Sequence, residues 1–343
     1  MQTSRAEDSF EETVSVSSIS KNPGRHPCLE MPGLWSVVLA GGEGNRIRTF
    51  IQGWLGRHRP KQYCTFVGTR SLLQHTLDRA GRLVPDERTL VVIDRTHRQI
   101  AESQIAGRSS IRLIVQPCNR DTAAGIFLPL TYIRRIDPEA TVVIYPSDHF
   151  VYPENAYVGA VQVAVEEARC LTNRLLLLGV APDELELEYG WVRPGPALEG
   201  NGGNVRSVEA FIEKPGMAEA KAVMESGALW NTFVLAAKVE WLWQLGWRFF
   251  PRMMPLFGTL EKAIGSRREG RILSLIYERM PTLNFSTNFL QRAPEHVGVM
   301  KLEGVLWSDW GRPERIVASL QKINRQPAFS LDRMHKARAS ASA

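Results

Sequence analysis

Trp35-Ser-Val-Val-Leu-Ala-Gly-Gly-Glu-Gly-Asn-Arg46, followed by Arg59-Pro-Lys-Gln62, is the stretch on which the reading of this chain turns. Val37, Val38 and Leu39 form an apolar run of the length of a buried strand. The run ends in a turn that holds Gly41, Gly42 and Gly44. Glycine lets the backbone come close to a ligand, and free amides in such a turn can face phosphate oxygens. Arg46 sets a fixed positive charge at the turn, and Lys61 follows within reach of a loop. Amides plus two cations suit a nucleoside triphosphate with a departing pyrophosphate. Taken alone, the stretch fits an ordinary tight turn equally well. A dinucleotide fingerprint would need a third glycine where Ile47 stands, and no Gly-Lys followed by Ser or Thr, as a Walker loop requires, occurs in the chain.

Outward from that turn the chain alternates apolar runs with helical periodicity. Strands are expected over 36–40, 89–93, 111–116 and 141–145, and helices over 71–82, 96–103, 122–136 and 154–171. The fold class that follows is α/β: a Rossmann-like mixed, mostly parallel sheet flanked by helices. Ligands of such sheets bind at the carboxyl ends of strands, where the glycine turn and Pro146-Ser-Asp-His149 both fall. Beyond 175 the texture changes. Residues 175–180 read as another buried strand, and 205–213 as a strand with Val208, Ala210 and Ile212 on one side. Gly195 to Asn204 reads as a hairpin or loop, 241–250 as a buried helix, and 316–323 as a short helix. Residues 1–33 are polar and Ser-rich and read as a disordered or loosely attached leader, 34–323 as the catalytic domain, and 324–343 as a loose basic tail.

The chain has 343 residues, 44% hydrophobic and 23% charged, enough for a substantial core. Its net charge of +6 is spread without a long basic block, so nucleic acid is not implied. Cys28, Cys64, Cys118 and Cys170 are far apart, with no Cys-x-x-Cys pair, which argues against a zinc site and a disulfide framework and for a reducing, cytoplasmic compartment. No apolar run has the length of a membrane span, and the N-terminus lacks a signal-peptide core.

Asp148 follows a strand through Pro146 and Ser147, and Asp309 lies in Leu306-Trp-Ser-Asp-Trp-Gly311. A lone strand-end aspartate is more often a helix cap or turn former than a metal ligand, but two in a chain that also has a phosphate-type turn favour the metal. Magnesium takes one or two carboxylates with phosphate oxygens and water, so Asp148 and Asp309 could form its pair if folding joins them. His149 reads as structural, because a phosphate monoester dianion needs no base to act as a nucleophile.

The motifs also form an ordered series: Leu39-Ala-Gly-Gly-Glu-Gly-Asn-Arg46, Arg59-Pro-Lys-Gln62, Gln116-Pro-Cys-Asn-Arg-Asp-Thr-Ala-Ala124, Tyr145-Pro-Ser-Asp-His149, Glu188-Tyr-Gly-Trp191, Phe211-Ile-Glu-Lys-Pro215, Trp230-Asn231 and Trp307-Ser-Asp-Trp-Gly311. In this series the chain resembles the sugar-phosphate nucleotidyltransferases, and within them the mannose-1-phosphate guanylyltransferase family, over about 35–316. The resemblance implies that a hexose 1-phosphate, with mannose 1-phosphate favoured, attacks a nucleoside triphosphate, with GTP favoured, to give a nucleotide sugar and pyrophosphate. It implies that Arg46, Lys61, Asp148 and Asp309 are catalytic, with Mg2+ on Asp148 and Asp309. Gly41, Gly42, Gly44, Asn45, Gln116, Asn119, Arg120, Thr122 and Ser147 would surround the nucleotide. Tyr189 and Gly190 would offer backbone contacts to the sugar, Glu213 and Asn231 would bind its hydroxyls, and Lys214 its phosphate. A homo-oligomer is left open.

The chain departs from that family's pattern. Asn45 stands where a Thr is usual, Phe233 where a glycine is usual, and Ser286 where an Asp is frequent. The stretch between Arg46 and Pro60 is long and is expected to be a loop. Two further readings stay open: another sugar phosphate or nucleotide, and a non-catalytic protein that binds a nucleotide sugar and regulates a partner.

Overall fold

The computed structural model describes residues 31–171, 173–198 and 203–330. In chain order the strands are β1 (Leu34–Leu39), β2 (Thr89–Asp94), β3 (Arg112–Gln116), β4 (Thr141–Pro146), β5 (Phe150–Tyr152), β6 (Leu175–Val180), β7 (Gly190–Ala197), β8 (Val205–Glu213), β9 (Leu229–Lys238), β10 (Val297–Lys301) and β11 (Leu306–Ser308). The helices are α1 (Arg48–Leu55), α2 (Leu72–Ala80), α3 (Arg98–Ile105), α4 (Asp121–Ile136), α5 (Glu154–Cys170), α6 (Met217–Glu225), α7 (Val239–Phe249), α8 (Met254–Ala263), α9 (Glu269–Arg279) and α10 (Pro313–Lys322).

One nine-stranded sheet runs β3-β2-β1-β4-β9-β6-β10-β8-β7, and β11 pairs with β5 beside it. β1 lies parallel between β2 and β4, as the alternation of strands and helices predicts, and β2 is parallel to β3. β9 then runs antiparallel to β4 and β6, while β6 and β10 are parallel. β1 explains its own continuous apolar run. Trp35 and Val37 face a core built with α4, α7 and α8, while Leu34 and Val38 face a core built with α2 and α5. A strand buried on both faces has no reason to alternate. The helix expected from 71 starts one residue later because Ser71 is its cap: Ser71 Oγ accepts from Gln74 N at 3.2 Å, and Gln74 Oε1 from Ser71 N at 3.0 Å.

Three expectations need correction. The long stretch after Arg46 is not a loop but carries α1. Ile47, Phe50 and Ile51 of that stretch are buried with Trp310, Ile316 and Leu320 in a third, smaller core. In β8 the buried residues are Val205, Val208 and Phe211, not the series 208, 210 and 212. Arg193 pairs with Ala210 but Pro194 with Val208, so an extra residue in β8 breaks the period of two. Finally, the described ends of the expected leader and tail are packed. Met31 is buried, and its carbonyl accepts from Leu34 N and Arg88. Phe329 is buried against Phe50 and Trp54, and Ala328 N donates to Phe66 O. Residues 1–30 and 331–343 lie outside the described residues.

The helix expected at 241–250 is α7, with Leu242, Trp243 and Leu245 inward and Trp247 46% exposed. Cys64, Cys118 and Cys170 are free. Among the described residues no helix is long and apolar enough to cross a membrane.

Candidate active site

The carboxyl ends of β1 and β4 and the turn after β11 meet at one point. Gly44 has a left-handed backbone (φ 65°), and a Cβ there would stand 3.0 Å from Lys61 Cβ, so only glycine brings the turn onto Lys61 without strain. Gln62 fastens the turn, its Nε2 donating to the carbonyls of Ala40 and Gly42 at 2.8 Å each. Lys61 is 3% exposed, and its Nζ lies 2.8 Å from Asp148 Oδ2 and donates to the carbonyl of Asp309. Arg46 Nη2 lies 2.5 Å from Asp309 Oδ2. Gly311 permits that approach, since a Cβ on it would meet Asp309 Oδ2 at 2.7 Å and Arg46 Cζ at 2.8 Å. Two cations and two carboxylates from four separate stretches of sequence thus converge.

Both carboxylates are held ionised. Burial opposes ionisation of Asp309, but Lys61 and Arg46, with the hydrogen bond from Tyr189, outweigh it and hold its carboxyl well below the usual range. Asp148 is likewise desolvated, yet Lys61 and His149 keep its carboxyl below its ordinary value. Burial lowers the His149 imidazole to about 4 despite Asp148 beside it, so it is neutral at neutral pH. Its ring meets Trp307 edge-on at 5.1 Å, which fits the structural role expected for it.

The two carboxylates suit a magnesium ion by chemistry: both are hard oxygen donors held ionised, and Lys61 ties them to one place. Among the described residues no three His, Cys, Asp or Glu side chains gather as a metal cage. A magnesium ion on one or two carboxylates, completed by phosphate oxygens and water, needs no such cage.

A cleft of about 310 Å³ opens beside these groups. Gly41, Gly42, Gly44, Gln116, Asn119, Thr122, Ser147 and Asp148 are among the residues that line it. Gln116 ends β3 and accepts from the Tyr277 hydroxyl at 3.1 Å. Asn119 Oδ1 accepts from Asp121 N at 2.7 Å, and Thr122 Oγ1 from Phe285 N at 2.8 Å. Asn45 is exposed at the start of a short helical turn. Arg120 departs from its expected place: Nε and Nη2 donate to the carbonyl of Tyr277 at 3.1 and 2.9 Å, and it does not line the cleft. Its guanidinium holds α9 to the start of α4. A larger hollow of about 710 Å³ lies among Val163, Arg206, Leu229 and Lys301 and holds none of the converging charges.

Among the residues expected to bind a sugar phosphate, Gly190 pairs with Glu213 across β7 and β8, and Ser286 hydrogen-bonds Glu213. Burial raises the Glu213 carboxyl against the pull of Lys214. Lys214 is half exposed and lies 3.8 Å from Glu188 Oε2. Asn231 is 9% exposed, and its Oδ1 accepts from Phe233 N at 3.0 Å.

Tyr189 does more than its expected backbone contacts. Its hydroxyl donates to Asp309 Oδ1 and accepts from Arg315 Nη1 at 2.8 Å. Arg315 Nη2 also donates to Glu186 Oε2 at 2.7 Å, and its guanidinium lies over the Tyr189 ring at 4.9 Å. Glu186 and Arg315 were not among the sequence candidates. Neither belongs to a motif, and only the fold brings 186 and 315 together. Four non-glycine residues around the site have a left-handed backbone: Asp121 (φ 64°), Lys214 (49°), Phe233 (56°) and Trp310 (47°). Such conformations cost about 1–3 kcal/mol each and gather at functional sites.

The chain is similar to several known proteins. Xanthan biosynthesis protein XanB of Xanthomonas campestris pv. campestris (strain B100) is 31% identical over 207 residues, 59% of this chain and 41% of that protein. Mannose-1-phosphate guanylyltransferase of Escherichia coli (strain K12) is 31% identical over 205 residues, 58% of this chain and 41% of that protein. The chain therefore aligns with less than half the length of these relatives. The crystal structure described as mannose-1-phosphate geranyltransferase from Thermus thermophilus superposes with a TM-score of 0.71 at 29% identity, covering 83% of this chain and 79% of that one. The family model described as nucleotidyl transferase matches residues 35–251, well over half of the chain. That span runs from β1 to the end of α7 and includes Arg46, Lys61, Asp148 and Asn231; the chain belongs to the nucleotidyl transferase family.

Proposed function

We propose that the protein is a sugar-phosphate nucleotidyltransferase that joins a nucleoside triphosphate to a hexose 1-phosphate, with GTP and mannose 1-phosphate as the favoured pair. The observation that carries this reading is the meeting of Lys61 with both Asp148 and Asp309 beside the Gly41–Gly44 turn, where Arg46 supplies a second cation. The choice of GTP and mannose 1-phosphate draws on the E. coli guanylyltransferase and its relatives, at about 30% identity.

In this reading the sugar phosphate oxygen attacks the α-phosphorus in line. The new O–P bond forms as the bond to the β-phosphate oxygen breaks, and pyrophosphate leaves with the electron pair. The nucleophile is already an anion, so no general base is required. Neutral His149 is therefore not asked to take a proton. Arg46 and Lys61 balance charge as it grows on the α-phosphate and the leaving group, and the amides of the glycine turn hold the triphosphate. Asp148 and Asp309 would hold Mg2+, which when bound supplies further charge neutralisation at the phosphates.

The test is magnesium-dependent pyrophosphate release with GTP, ATP, UTP and dTTP, each paired with mannose 1-phosphate and with glucose 1-phosphate. Release with GTP and mannose 1-phosphate is expected. Release with another pair keeps the reaction and overturns the favoured substrates. Release with none, joined to tight binding of GDP-mannose, would turn the reading to a regulator.

A further inference from the structure

We infer that Tyr277 sets which bases the cleft takes: it holds the Gln116 amide with its N–H groups toward the cleft, a donor that selects a base carbonyl over a base amino group; this rests on the proposed nucleotidyl transfer. The glycine turn has two ends. Gly44 lies against Lys61, and Arg46 and the two carboxylates gather at that end. Gly41 lies against Gln116 instead, since a Cβ on it would stand 2.9 Å from Gln116 Nε2. Phosphates belong with the cations. The base then belongs toward Gly41, where Gln116, at the end of β3, lines the cleft with Asn119 and Thr122.

A side-chain amide carries a donor and an acceptor that a half-turn would exchange. Tyr277 decides between the two. It is buried, and its hydroxyl donates to Gln116 Oε1 at 3.1 Å. With the amide reversed, Gln116 would donate to the phenol, and the phenol's own hydrogen would have no acceptor among the described residues. An orphaned donor in a buried site is costly. Burial also raises the Tyr277 hydroxyl well above its ordinary value, so it stays protonated. The residue is pinned in turn, because Arg120 Nε and Nη2 both donate to its carbonyl, at 3.1 and 2.9 Å. Arg120 thus serves the cleft without lining it. Gln116 Nε2 meets no acceptor among the described residues and faces the glycine turn. A donor fixed there pairs with O6 of guanine or O4 of uracil and thymine. Against the amino group of adenine or cytosine it sets N–H against N–H, and each loses water without gaining a partner.

The experiment measures Kd by calorimetry, and kcat/KM with mannose 1-phosphate and magnesium, for GTP against its 2,6-diaminopurine analogue and for UTP against CTP. Within each pair the base differs only at the edge that carries the carbonyl or the amino group. The native full chain should favour the carbonyl member roughly tenfold or more in whichever pair binds. Tyr277→Phe keeps the ring and frees the amide to turn. It should cut that ratio roughly threefold or more, with KM for mannose 1-phosphate unchanged. Gln116→Glu puts an acceptor in the same place and should reverse the ratio. A Tyr277→Phe protein that melts lower yet keeps the native ratio would make the bond merely structural and overturn the inference. So would equal losses for both members of a pair in Gln116→Glu, or equal binding of both by the native chain. Turnover without a carbonyl preference would leave the proposed reaction standing and the inference overturned. A carbonyl preference in Kd without turnover would overturn the reaction alone, and binding of no triphosphate would overturn both.

Discussion

The Tyr189 hydroxyl donates to Asp309 Oδ1 while Arg315 donates to the same hydroxyl at 2.8 Å, so one phenol links α10 to the carboxylate that Arg46 also holds. Burial and the neighbouring Asp309 push the Tyr189 hydroxyl well above its ordinary value, which keeps it a donor. Gly311 N donates to the same Oδ1 at 3.0 Å. Asp309 is therefore aimed before any ligand arrives.

Tyr189→Phe removes that aim and little volume. Loss of a partner that orients a metal ligand typically costs 10–100-fold in metal affinity or activity. We expect the magnesium concentration for half-maximal activity to rise about tenfold in this range, with a smaller change in KM for GTP. A magnesium titration of the rate decides. An unchanged curve would show that Gly311 and Arg46 position Asp309 unaided.

Lys61→Met keeps the stem and deletes the charge that joins Asp148 to Asp309. The rate should fall on the order of 10²–10³, as for other groups that stabilise developing charge. Stability should fall as well, by up to about 3 kcal/mol, because two ionised carboxylates then face each other without their shared cation. Pairing Lys61→Met with Asp148→Asn should recover much of the stability and none of the rate. Retention of turnover in Lys61→Met would remove Lys61 from the reaction.

What the sequence discloses here is what local physics writes into it. The apolar run before Gly41 is a strand, and the strand expected over 175–180 is β6. The left-handed Gly44 is the turn that the glycine pattern implies. The helix α1 was also legible. Ile47, Phe50, Ile51 and Trp54 recur at the spacing of a helical face, but Gly53 and the flanking arginines draw the eye to a loop. The Tyr189–Arg315–Glu186 chain was not legible. Its members are 126 and 129 positions apart, and nothing in the neighbourhood of Glu186 announces Arg315. Arg120 misled for the opposite reason: it lies inside a recognisable motif, yet its guanidinium turns to the carbonyl of Tyr277.

Glu186 gives the pH dependence a definite sign. Burial would raise its carboxyl, but the backbone amide of Glu188, Arg315 and Arg312 outweigh burial and hold it below its ordinary value of 4.5. The unfolded chain thus binds a proton there more readily than the folded one. The stabilisation is fully present above about pH 4.5 and is lost as the pH falls toward the depressed folded value. Glu186→Gln should lower the melting temperature at pH 7 and flatten its fall between pH 5 and about 3. A variant whose acid profile parallels that of the native protein would mean that other carboxylates, Asp309 among them, set acid stability.

Phe329 tests whether the end of the described chain supports the site. It is 5% exposed, and its ring meets Phe50 edge-on at 4.8 Å and Trp54 at 5.5 Å. Those two residues belong to α1, which begins two positions after Arg46. Trp310, the residue after Asp309, is in the same small core and stacks on Phe150 at 4.4 Å. One cluster thus backs both the cation at the glycine turn and the turn that carries Asp309. Phe329→Ala should cost about 3 kcal/mol, the usual scale for emptying a buried aromatic site. It should also speed amide exchange across residues 47–55 and raise KM for GTP several-fold, because Arg46 loses the packed helix that follows it. Exchange confined to residues 324–330, with KM unchanged, would show that α1 holds the turn without this ring.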